Sequence, residues 1–86
     1  MAAELDRLIA RVPEGWSEVS FAGRRYGLTK RTHGEERIVT IYAEELGGTD
    51  VVSANIYRLP SGDQLKACEM PDEKVLDFLR SFELAD

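Results

Sequence analysis

Apolar and polar positions alternate with a period near two on both sides of one break. Arg-Ile-Val-Thr-Ile-Tyr-Ala-Glu-Glu-Leu runs from Arg37 to Leu46, and Val-Val-Ser-Ala-Asn-Ile-Tyr from Val51 to Tyr57. Gly47-Gly48-Thr49-Asp50 lies between them. β-branched and aromatic residues in both arms, joined by turn-forming residues, predict an antiparallel hairpin that supplies the two central strands. Upstream, Trp16–Phe21 and Arg24–Thr32 alternate in the same way around an Ala22-Gly23 turn, and the first of these reads as an edge strand. Downstream, Leu59-Pro60-Ser61-Gly62-Asp63 is a turn and Gln64–Glu69 a last strand.

The period changes at both ends of the chain. Leu5, Leu8, Ile9 and Val12 fall at i, i+3, i+4 and i+7, as do Val75, Phe78, Leu79 and Phe82. Each set forms the apolar stripe of an amphipathic helix, predicted over about residues 3–12 and 71–83. Pro13 ends the first, and Pro71 with Asp72 and Glu73 suits the first turn of the second. The expected fold is α+β: a four- to five-stranded antiparallel meander, residues 1–86 forming one domain, with the N- and C-terminal helices packed on one face.

Turn lengths predict registers. A two-residue His33-Gly34 turn sets Leu28 against Val39, Tyr26 against Ile41 and Arg31 against Glu36. A four-residue loop over Gly47–Asp50 sets Leu46 against Val51, Ala43 against Ala54 and Ile41 against Ile56. Tyr26, Leu28, Val39, Ile41, Ala43, Val52, Ala54 and Ile56 then share the core face, joined by Leu65 and Ala67. Trp16, after the helix-breaking Pro13-Glu14-Gly15, is expected to lid one end of that core.

Composition narrows the function. A hydrophobic content of 43% with 31% charged residues is that of a chain that folds. The net charge of -5 opposes phosphate backbones and anionic lipid, so neither nucleic acid nor a membrane is expected as a partner. No apolar run approaches the ~20 residues of a membrane span, and the N-terminus lacks the pattern of a signal peptide. The expected location is cytoplasmic, and the single Cys68 agrees with a reducing compartment.

Few residues invite chemistry, and no cofactor is expected. Glu44, Glu45 and Asp50 flank the central turn without a metal-binding loop pattern, and Glu44 and Glu45 point to opposite faces of a strand. Five of the eleven basic residues, Arg24, Arg25, Lys30, Arg31 and Arg37, lie within fourteen positions, but no phosphate-binding loop accompanies them. Cys68 stands just ahead of a helix whose dipole favours a thiolate, with Glu69 beside it opposing that effect. The second sheet face collects Thr29, Arg31, Thr40, Tyr42, Ser53, Asn55 and Tyr57, together with the apolar Ile38 and Val51. Such a face is ordinarily solvated, yet Tyr, Arg and Asn also suit recognition. The register sets Tyr42 across from Asn55 and Thr40 across from Tyr57, so both rings would join one exposed patch.

Pro13-Glu14-Gly15-Trp16, Gly23-Arg24-Arg25-Tyr26-Gly27-Leu28-Thr29, Tyr42-Ala43-Glu44-Glu45-Leu46-Gly47-Gly48 and Cys68-Glu69-Met70-Pro71 resemble segments of small uncharacterised bacterial proteins. Some of those carry the label peptide-methionine sulfoxide reductase. Without a Gly-Cys-Phe-Trp motif, the resemblance implies Cys68 as nucleophile, attacking the sulfoxide, with an external thiol resolving the sulfenic acid. Two functions are therefore expected. The first is a non-enzymatic domain binding a protein partner, or itself as a homodimer, through a sheet face or edge with Arg31, Thr40, Tyr42, Asn55 and Tyr57. The alternative is a thiol enzyme using Cys68.

Overall fold

The computed structural model describes residues 2–85. The elements run α1 (Ala2–Ala10), β1 (Gly15–Phe21), β2 (Arg24–His33), β3 (Ile38–Glu45), β4 (Val51–Leu59), β5 (Gly62–Ala67), α2 (Asp72–Ser81) and β6 (Glu83–Leu84). All strand pairs are antiparallel, in the spatial order β5-β4-β3-β2-β1-β6. Five consecutive strands form the expected meander. After α2 the chain turns extended at Phe82, with φ -67° and ψ 152°, and lays β6 outside β1. The sheet thus has six strands, and β1, expected as an edge, is half covered.

Both helices sit on one face, because both have only one apolar stripe to bury. Leu5, Leu8, Ile9 and Val12 from the first helical segment, and Val75, Phe78, Leu79 and Phe82 from the second, form one buried cluster. The sheet contributes Val19, Tyr26, Leu28, Val39, Ile41, Ala43, Val52, Ala54 and Ile56 to it, with Leu65 and Ala67 partly buried at its margin. The core-face assignment made from alternation therefore holds at every position.

Both predicted registers are displaced. His33 pairs with Ile38, so the first loop is Gly34–Arg37, not His33-Gly34, and Leu28 meets Ala43 while Tyr26 meets Glu45. Arg31 meets Thr40, not Glu36. In the central hairpin, Ile41 meets Ala54, Ala43 meets Val52 and Ile56 meets Val39. Leu46 leaves β4 altogether and donates its N–H to the Arg25 carbonyl at 2.8 Å. Side-chain size gives the reason. The expected registers set Leu28 beside Val39 and Ile41 beside Ile56, whereas the observed ones set Leu28 and Ile41 each opposite an alanine and leave Val39 and Ile56 as the large pair. Both displacements are even, four residues for Leu28 and two for Ile41, so no side chain changes face.

Polar side chains anchor the helices to the sheet. Lys30, on the core face of β2, donates to the carbonyls of Ile9 and Val12, both at 3.1 Å, which satisfies the C-terminal end of the first helical segment. Arg11 does the same for the second, donating to Leu79 O and Phe82 O at 2.7 Å each, with its guanidinium 4.4 Å from the Phe82 ring centroid. At the other end of the sheet the Tyr26 hydroxyl donates to Asp50 Oδ2 at 2.7 Å, and Lys74 Nζ donates to Asp50 Oδ1 at 2.7 Å. These bonds leave the opposite sheet face uncovered by either helix.

Candidate functional site

The uncovered face is a grid with four transverse rows that cross four strands each, about 7 Å apart along the strands, and a shorter row of Glu83, Ser20 and Arg25 beyond the first. One row reads Glu18, Gly27, Glu44, Val51. The next reads Trp16, Thr29, Tyr42, Ser53. The third reads Arg31, Thr40, Asn55, Lys66, and the fourth His33, Ile38, Tyr57, Gln64. Local sequence explains the placement: each residue is at the outward phase of an alternation whose inward phase is in the core.

Trp16 was expected over the core; it lies instead on this outer face, 62% exposed. Its pairing with Thr29 places it one row from Gly27, and a Cβ built on Gly27 would come within 2.8 Å of Trp16 Nε1. The indole thus lies across the space that a glycine in mid-strand leaves open, which also explains why Gly27 is buried. The lid role fails because β1 alternates in phase with Val19, which is fully buried, and that phase sends Trp16 outward. Tyr42, 41% exposed, occupies the same row two strands away. The signal in the sequence was Gly27 itself, an interior strand glycine with a tryptophan on the neighbouring strand.

The predicted site residues share the face but not one patch. Arg31, Thr40 and Asn55 form one row. Thr40 Oγ1 donates to Asn55 Oδ1 at 3.0 Å, and His33 Nε2 lies 2.9 Å from the same Thr40 oxygen. Tyr42 meets Ser53, not Asn55, and Tyr57 meets Ile38, not Thr40. Tyr42 and Tyr57 are therefore two rows apart and form no continuous pair of rings. Tyr57 is half-buried and borders an open cavity of about 530 Å³ with Arg37, Ile38, Arg58 and Leu59.

Other candidates disperse. Lys30 is spent on α1, Arg24 lies 3.5 Å from Glu45, and Arg25 pairs with Glu18 at 2.6 Å, so the basic run makes no single patch. Glu44 points outward while Glu45 turns to the core side and accepts from the Asp50 N–H at 3.3 Å. Among the described residues no group of three or more His, Cys, Asp or Glu is placed to hold a metal. Cys68 is exposed, and its N–H donates to Ser53 O at 2.9 Å, which keeps it in line with β5. His33 is on β2, three strand spacings or about 14 Å away across the sheet, so the two form no catalytic pair.

On the outer face, the hydrogen bond to Glu18 holds the Arg25 guanidinium above its ordinary value; the other perturbed groups lie elsewhere. Burial, with the Asp50 hydrogen bond second, pushes the Tyr26 hydroxyl up to about 12. The Lys74 hydrogen bond, then that of Tyr26, holds Asp50 below the usual carboxylate range. Glu14 is held low by the hydroxyl and the N–H of Thr32. These groups brace the fold. No helix among the described residues is long and apolar enough to cross a membrane. No protein-family model matches the chain, and neither a curated protein nor a solved structure matches it.

Proposed function

We propose that the chain is a non-enzymatic interaction domain that binds protein through its open sheet face. The observation that carries this reading is the exposure of Trp16 and Tyr42 in one row, either side of Thr29, on a face that neither helix covers. Ile38 and Val51 on the same face are half-buried, whereas the indole over Gly27 stays exposed, which makes it a preformed contact surface. Trp and Tyr supply area with polar tips, and an ordered ring loses little side-chain entropy on association. Arg31, Thr40 and Asn55 border the row as hydrogen-bonding rim.

The test is a Trp16→Ser/Tyr42→Ser variant. It should keep its thermal unfolding midpoint within a few degrees, because both side chains lie outside the core, and should lose the partner that the wild type retains in affinity capture. A variant that unfolds, or that captures the same partner equally well, refutes the reading. A second reading, thiol chemistry at Cys68, is supported by the exposure of that side chain. Cys68→Ser separates the two: it leaves capture unchanged under the first and abolishes sulfoxide reduction under the second.

A further inference from the structure

The charges on the outer face are arranged in opposite sense about the Trp16–Tyr42 row. On one side lie Glu18 and Glu44, and on the other Arg31 and Lys66. Arg25, beyond Glu18, pairs with it at 2.6 Å. Among the described residues Arg31, Glu44 and Lys66 take part in no ion pair. The outward strand positions thus balance three bases, Arg25, Arg31 and Lys66, against three acids, Glu18, Glu44 and Glu83, while the chain as a whole carries -5. The excess acid is therefore on the helix side and at the loops. Two copies repel one another through most of their surface and least through this face.

Resting on the reading above, we infer that the partner is a second copy of this chain, docked face to face about a two-fold axis that runs along the Trp16–Tyr42 row. Such an axis lies in the interface and exchanges the rows on either side of it. It sets the acidic row of each copy over the row of the other that holds Arg31 and Lys66. On β2, the position two residues before Thr29 is Gly27, over which the Trp16 indole lies, and the position two residues after is Arg31. The axis therefore brings each Arg31 guanidinium onto the other copy's indole, the geometry of a cation–π contact. On β3 it sets Glu44 over Thr40, one strand from Arg31. Each Arg31 so gains an aromatic face and a carboxylate, and the pattern occurs twice by symmetry. An axis parallel to the strands would instead place the acidic row on itself, which like charges oppose.

Sedimentation equilibrium from micromolar to millimolar concentration tests this. The wild type should approach the mass of two chains, and Trp16→Ser should weaken the association by about tenfold or more. Arg31→Glu and Glu44→Arg should each weaken it by about tenfold, and the double exchange should restore it to within a few-fold of wild type. Both charge variants are at exposed positions, so they remain informative should Trp16→Ser fold poorly. A wild type that stays monomeric overturns the inference, as does a dimer that the double exchange fails to restore. A monomer that still captures another protein through Trp16 overturns only the second copy, whereas a monomer whose captures ignore Trp16 overturns the interaction reading as well.

Discussion

Single residues carry both the strain and the pH dependence of this domain. Ala22 occupies a turn between Phe21 and Arg24 with φ 54°, a left-handed conformation that its methyl group disfavours. Asn tolerates that conformation, and the position suits it in a tight hairpin, so Ala22→Asn should stabilise the fold by about 1 kcal/mol in urea unfolding. Tyr26 and Asp50 set opposite limits on pH. The folded-state pKa of Asp50 is depressed, so its contribution is present above the usual carboxylate range and fades as pH falls through the lowered value. That of Tyr26 is raised, so its contribution is complete below the ordinary tyrosine value near 10 and is lost as pH rises towards 12. Tyr26→Phe should therefore lower stability at neutral pH, through the lost bond to Asp50, and flatten the fall between pH 10 and 12 in a series of thermal melts. Alternation alone made Tyr26 readable as a core residue. The role of Trp16 was not readable in the same way, because it depends on the space above Gly27, and that space exists only once β1 and β2 are in register.

At the level of elements, faces were legible and registers were not. Period-two alternation assigns each side chain to a face whatever the loop length, provided that the loop errs by an even number, as both hairpins do. Gly34 offers a two-residue turn by its chemistry, but the chain instead turns over Gly34–Arg37 and places Glu35 and Glu36 at φ 59° and 68°. What selects this longer loop is the packing of Leu28 and Ile41 against alanines, a relation between strands that no local pattern displays. The strand β6 was missed for a similar reason. Glu83-Leu84 is too short to show a period, and it pairs because α2 delivers it to the free edge of β1, where Ala85 N–H also meets Glu18 O at 3.0 Å. The helices themselves were legible from their stripes, but their attachment through Arg11 was not. Arg11→Met keeps the aliphatic stem and removes the bonds to Leu79 O and Phe82 O, and should cost about 2 kcal/mol in urea unfolding, with α2 the element that loosens first by amide exchange.

Across the whole molecule, one core and one open face divide the work. Every apolar stripe converges on the side that the helices cover, so Leu79→Ala, at a fully buried position in that cluster, should destabilise by ~2 to 5 kcal/mol through lost burial and a residual cavity. For a domain of this size that is a large share of the total. The outer face can change without such a cost, and it is there that exposed aromatic residues and unpaired charges coincide. The central claim, that association uses the outer sheet face and leaves the helix side free, is tested most directly by amide chemical shifts recorded through a dilution series. We predict concentration-dependent shifts centred on Trp16, Thr29, Arg31, Tyr42 and Glu44, including the Trp16 indole N–H, with α1 and α2 unchanged. Shifts confined to the helices, with the Trp16 row silent at every concentration, would contradict it.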